Sequence, residues 1–154
     1  MSLLMKTAVR PDWVDYNGHM NDAAYAQVFS LAVDQLMDNL GMNETFRSEQ
    51  QYSMFTLETH VCYLDEAHED QNLLVTMQLL DDDAKRLHVF FTMTDEGGGK
   101  LATSEQMLMG MDMHTGRPSP FPEMIQNQIQ QINHEQSTYS LPKEAGRTIG
   151  IKKR

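Results

Sequence analysis

One stretch limits the folds open to this chain more than any other. Between residues 23 and 40 the apolar side chains Tyr25, Val28, Phe29, Ala32, Val33, Leu36, Met37 and Leu40 recur at steps of three and four. That spacing gathers them on one face of a helix. Asn17-Gly18 marks a turn before it, Asn21 or Asp22 can cap its first amides, and Gly41 provides the stop. So long an apolar face has to be covered. Four strand-like runs downstream, residues 52–64, 72–80, 85–95 and 100–114, are available to cover it.

Asp81-Asp82-Asp83 and Gly97-Gly98-Gly99 make two of the connections between these runs. Both are short, which predicts antiparallel hairpins. A first strand over residues 6–14 is interrupted by Pro11, so it reads as bent or at an edge. Residues 43–51 read as a polar loop or short helix. Pro118, Pro120 and Pro122 close the sheet, and residues 123–135 form a last helix. A strand, one long helix and then an antiparallel meander is an α+β pattern, with the first and last strands expected at the open edges. The expected organisation is one domain over residues 1–136 and a mobile tail, poor in apolar residues, over 137–154.

The formal net charge of −10 argues against general nucleic-acid binding. No run approaches the roughly 18 apolar residues of a membrane span, and no secretory leader is visible. Cys62 is the single cysteine, so no internal disulfide forms, and a reducing, cytoplasmic setting is expected. The histidines at 19, 60, 68, 88, 114 and 134 are scattered without a ligand spacing, so no metal is expected.

The chemistry concentrates in Asp15-Tyr16-Asn17-Gly18-His19-Met20-Asn21-Asp22-Ala23-Ala24-Tyr25. Asp15 has two readings. It is a common residue type to open an Asn-Gly turn. It is also a carboxylate beside the open amides of a helix start, which is what water attack on a carbonyl needs. His19 is either a satisfied turn residue or part of a pocket. Trp13, Tyr16 and Tyr25 flank Asp15, either as core or as faces for a cation. Glu58 and His60 share one strand face and form a second polar pair. Lys85-Arg86 follows three Asp residues and reads first as a charged hairpin turn.

The same segment resembles the signature of hot-dog-fold acyl-CoA thioesterases of the 4-hydroxybenzoyl-CoA type. The resemblance continues through Thr59-His60-Val61-Cys62-Tyr63-Leu64-Asp65-Glu66, Asp83-Ala84-Lys85-Arg86-Leu87-His88 and Ala102-Thr103-Ser104-Glu105-Gln106. These look most like the branch associated with carnitine dehydrogenase, whose members hydrolyse betainyl-CoA. The resemblance implies an antiparallel sheet wrapped around one long central helix. It makes Asp15 the catalytic acid, as general base or as nucleophile. Gly18 and the backbone N–H of about Asp22 would polarise the thioester carbonyl, with the Asp22 side chain turned away. Trp13, Tyr16, His19, Asn21, Tyr25, Glu58 and His60 would line the substrate, and Lys85 and Arg86 would meet the CoA phosphates. No cofactor is implied, and the family associates as homodimers or homotetramers with sites between subunits. Another short or aromatic acyl-CoA remains open as substrate, and so does a noncatalytic acyl-CoA-binding module.

Overall fold

The structure of the protein, a computed structural model, describes residues 3–153. In chain order it contains β1 (Leu3–Ala8), a 3-10 turn (Pro11–Trp13), α1 (Asp22–Asn39), α2 (Glu44–Gln50), β2 (Tyr52–Tyr63), β3 (Asn72–Asp82), β4 (Arg86–Thr94), β5 (Lys100–Asp112), β6 (Arg117–Pro118) and α3 (Glu123–Glu135). The sheet is antiparallel, ordered β1-β3-β4-β5-β2, with β6 also paired to β5. It curls around α1, the arrangement of a hot-dog fold. Phe29 of α1 stacks on Phe91 of β4, with ring centroids 6.3 Å apart. Val28, Ala32 and Leu36 are sealed beneath the same surface.

Two expectations need correction. The first strand stops at Ala8, and Pro11 opens a 3-10 turn instead of interrupting a longer strand. Proline has no N–H for a ladder, but its fixed φ suits the first position of a helical turn. One open edge is β1, the first strand, as expected; the other is β2 and not the last strand of the meander. β5 is internal, because β2 returns across the fold to pair with it from Tyr52↔Asp112 to Tyr63↔Ala102.

One irregularity in β2 decides what faces α1. The register slips between Thr56, opposite Leu108, and Glu58, opposite Met107, leaving Leu57 as an extra residue. Such a bulge reverses the alternation of side chains beyond it. Before it, Tyr52 and Met54 join the core. After it, Thr59, Val61 and Tyr63 share the inner face, opposite Gln106, Ser104 and Ala102. Glu58, His60 and Cys62 are turned to the outer face.

The rest of the chain closes two surfaces. Past Thr76, the last β3 residue paired with the described part of β1, the Gln136 side chain stands in for a strand. Its Oε1 accepts from the Leu79 N–H at 2.8 Å and its Nε2 donates to the Met77 carbonyl at 3.0 Å. The residues after it meet the outer face at several points. Gln78 Nε2 donates to the Ser140 carbonyl, and the Gly146 N–H donates to Glu105. Glu144 is buried beside Lys100, 3.5 Å away.

Candidate active site

The loop before α1 holds its acid by backbone geometry. Val14 and Met20 form a bridge, the Asp15 N–H donates to the His19 carbonyl at 2.9 Å, and the Gly18 N–H donates to the Asp15 carbonyl at 3.0 Å. Gly18 has φ +77°, a left-handed conformation that most side chains resist. The Asp15 Oδ1 accepts from the Asn17 N–H at 2.8 Å and the His19 N–H at 3.2 Å. The turn reading of Asp15 is met by these bonds. One oxygen fixes the turn. The other has no hydrogen bond among the described residues and belongs to an exposed side chain.

At the helix start, Asn21 is fully employed. Its Oδ1 accepts from the Ala24 N–H at 2.9 Å, and its Nδ2 donates to the Trp13 carbonyl at 2.8 Å. Asn21 is thus a cap and a brace, not a free pocket wall. Asp22 Oδ1 turns back to the Ala23 N–H at 3.0 Å. The Asp22 N–H is left without a partner among the described residues, at the positive end of the α1 dipole. An exposed carboxylate and an unspent helix amide are thereby presented within one short segment.

The aromatic residues flanking Asp15 do not form a box. Trp13 is buried in the core with the Arg10 guanidinium 5.4 Å from its ring centroid. Its Nε1 is buried without a hydrogen-bond partner among the described residues. Tyr16 is 97% exposed at the loop tip. Tyr25 is buried, and its hydroxyl accepts from the Ala67 N–H at 3.0 Å and donates to the Asp65 carbonyl at 3.3 Å. Burial, followed by the charges of Glu66 and Asp65, raises the pKa of the Tyr25 phenol above its ordinary value. His19 sits 3.0 Å from Glu66 through Nδ1, with its ring edge-on to His68.

Glu58 and His60 lie apart from this segment, on the outer face. The Leu57 bulge is the reason, since without it the alternation would have put them on the face of Met54 and Thr56. They border a cavity of about 280 Å³ with His88, Glu105 and Arg147. There His88 Nε2 is 2.6 Å from Glu105 Oε2. The basic pair is also divided. Arg86 donates to Asp83 through Nε at 2.7 Å, and its NH2 nitrogen lies 2.6 Å away. That bond, with the Lys85 N–H, holds the Asp83 carboxyl down at about 2. Arg86 is thus committed to its own turn, and Lys85 is exposed without an ion pair among the described residues.

One residue near the helix start was not singled out from sequence. Tyr63 ends β2 on the inner face, and its hydroxyl donates to the Asp22 carbonyl at 3.2 Å. Its ring stands perpendicular to Tyr25 at 5.2 Å, and the residue remains 52% exposed. Partial burial, then the Asp22 charge, raises the pKa of its phenol. The sequence showed Tyr63 as one of a strand run; the bulge that aims it was not legible.

Among the described residues, no group of three or more His, Cys, Asp or Glu is placed to hold a metal ion, and no helix is long and apolar enough to cross a membrane. Comparison with known proteins bears directly on the loop and helix. Residues 9–129 match the thioesterase-like superfamily. A betainyl-CoA thioesterase of Pseudomonas aeruginosa is 39% identical over 147 residues, covering 95% of this chain and 92% of that protein. An L-carnitine dehydrogenase/betainyl-CoA thioesterase of Rhizobium meliloti is 36% identical over 151 residues, 97% of this chain but 30% of that longer protein. A hypothetical protein of Staphylococcus aureus, solved in complex with CoA, superposes with a TM-score of 0.92 at 36% identity, covering 98% of this chain and 96% of that one. With its curled sheet, its single wrapped helix and its acid-bearing loop at the helix start, the chain belongs to the thioesterase-like superfamily.

Proposed function

We propose that this protein is an acyl-CoA thioesterase whose substrate is betainyl-CoA, with Asp15 as the catalytic acid. The observation that carries the chemistry is that one short segment presents an exposed Asp15 oxygen and, at the start of α1, an Asp22 N–H without a partner among the described residues. The thioester oxygen sits at that amide, and a water beside Asp15 attacks the carbonyl carbon. Asp15 takes the water proton as the C–O bond forms. Negative charge that develops on the carbonyl oxygen is met by the helix end. The tetrahedral adduct then expels the CoA thiolate, leaving betaine as a carboxylate. Direct attack by Asp15, through an acyl anhydride that water later cleaves, uses the same geometry. A thiolate leaves readily, so neither route calls for a cofactor.

The substrate assignment is supported by the two betainyl-CoA thioesterase relatives, one matched along nearly its whole length. The second carries L-carnitine dehydrogenase in the same polypeptide, which fits a role beside carnitine breakdown. CoA in the Staphylococcus aureus structure supports the carrier half of the substrate. A single free Cys62 agrees with a reducing, cytoplasmic setting.

The working unit in this reading is a homodimer or a pair of dimers. β2 is an unpaired edge of 12 residues, with Phe55 42%, Leu57 54% and Leu64 38% exposed along and just beyond it. Pairing two such edges covers those side chains and brings strand residues of one copy toward the loop of another. Light scattering at micromolar concentration checks this, and a monomer would count against a shared site.

The test of function is CoA release by the purified protein from betainyl-CoA, acetyl-CoA, benzoyl-CoA and 3,3-dimethylbutyryl-CoA. The reading expects the highest kcat/KM for betainyl-CoA. Faster hydrolysis of any neutral thioester would displace the substrate, and no hydrolysis of any would leave an acyl-CoA-binding module.

A further inference from the structure

We infer that Tyr63 is the aromatic wall that reads the cationic nitrogen of the acyl group. The inference rests on the betainyl-CoA reading and adds the residue that makes the distinction. In a betainyl thioester the trimethylammonium nitrogen is one methylene from the scissile carbonyl carbon. Whatever holds the cation must therefore adjoin whatever holds the carbonyl oxygen. That second group is the Asp22 N–H, so the cation reader has to touch the first turn of α1.

A quaternary ammonium has no N–H to donate. It is recognised through aromatic faces and through carboxylates at longer range. Of the aromatic residues around the loop, Trp13 is buried under Arg10, Tyr16 projects into solvent, and Tyr25 is enclosed with its hydroxyl doubly bonded. Tyr63 meets both requirements. Its hydroxyl is bonded to the carbonyl of Asp22 itself, and the residue is about half exposed. The ring is also fixed at two points, by that hydrogen bond and by the perpendicular contact with Tyr25. A face held this way loses no rotamer freedom when the ligand arrives. Asp22, Asp65 and Glu66 surround the Tyr25–Tyr63 pair and supply the negative field.

The bulge at Leu57 is part of the device. Had β2 kept strict alternation, Tyr63 would point to the outer face with Cys62 in its place. Bulges recur beside functional sites because they re-aim a side chain in this way.

The experiment compares kcat/KM for betainyl-CoA and 3,3-dimethylbutyryl-CoA, in which carbon replaces the cationic nitrogen. It uses the full chain as wild type, Tyr63→Leu and Tyr63→Phe. The wild type is expected to favour betainyl-CoA. Tyr63→Leu should lower kcat/KM for betainyl-CoA by about five- to thirtyfold, the range of a partly desolvated cation–aromatic contact, with a smaller loss for the neutral thioester. Tyr63→Phe keeps the ring and should keep the preference. A folded Leu variant that retains the wild-type ratio, or a Phe variant that loses it as fully as Leu does, overturns the assignment of Tyr63 and leaves the thioesterase reading standing. A wild type with no preference for the cation overturns the substrate assignment and this inference with it.

Discussion

The Tyr52 hydroxyl fills the space where a side chain on Gly110 would begin. It donates to the Ser119 carbonyl at 2.8 Å, and that carbonyl would itself lie 2.9 Å from a Cβ at Gly110. The Gly110 N–H meanwhile donates to the Lys85 carbonyl at 2.7 Å. Backbone on one side and a bonded phenol on the other leave little room to yield. Gly110→Ala is expected to destabilise the fold by about 1–3 kcal/mol, as overpacking does. In a denaturant series the double variant with Tyr52→Phe should lose less than the sum of the two single changes, because removing the hydroxyl vacates the space. Strict additivity would show that the phenol is not the obstacle.

Burial pushes the Tyr52 phenol up to about 12 from 10.0. The folded state keeps this proton where the unfolded chain has lost it. The contribution is therefore complete below about pH 10 and is lost as the pH rises from there through about 12. Melting temperatures measured across that window should fall less steeply for Tyr52→Phe than for the wild type. Parallel curves would refute the linkage.

Gln136 answers two β3 backbone groups with one amide. Gln136→Ala leaves the Leu79 N–H and the Met77 carbonyl to find water or go unpaired. A loss of about 1–3 kcal/mol is expected. Hydrogen exchange at the Leu79 amide should rise more than at the Leu87 amide on β4. An unchanged Leu79 rate would mean the amide bond is dispensable.

Asp15→Asn removes the proton acceptor while the asparagine oxygen can still serve the turn amides. Turnover is expected to drop by at least ~100-fold with the melting temperature little changed. Single-turnover hydrolysis in ¹⁸O water tests for the anhydride route, because label in the protein can come only from an anhydride cleaved at the Asp15 carbonyl. Near-normal turnover by folded Asp15→Asn would remove Asp15 from the chemistry.

The helix was readable because its signal is local. Eight apolar positions at steps of three and four, with an asparagine in front and a glycine behind, leave little else for residues 23–40 to do. The hairpins joining β3, β4 and β5 were readable for the same reason. The place of β2 was not, since its partner β5 follows about 50 residues later and no local pattern states that pairing. Asp15 was singled out by the turn that follows it, and the structure holds it in that turn. For Trp13, Tyr25 and Asn21 the sequence left core or cap open beside pocket, because it gives their positions along the chain but not their neighbours: Arg10 over the indole, Ala67 and Asp65 on the phenol, Ala24 on the amide. The faces taken by Glu58, His60 and Tyr63 were not legible, for one cause. Alternation states which residues share a face, and the extra Leu57 exchanges the faces midway.

The unequal edges of the sheet bear on how many copies can join. β1 is six residues long, interrupted by a bulge between Leu3 and Met5, and carries the exposed Lys6 bound to Glu96. That is a poor template for a further strand. β2 offers twice the length. In the homodimer proposed above, antiparallel pairing of β2 with its own copy relates the two by a twofold axis, and each copy spends the same edge. Growth by strand addition then ends at two. In that arrangement the chain keeps a long adhesive border without the risk of fibres, because the border is consumed by the first encounter that uses it.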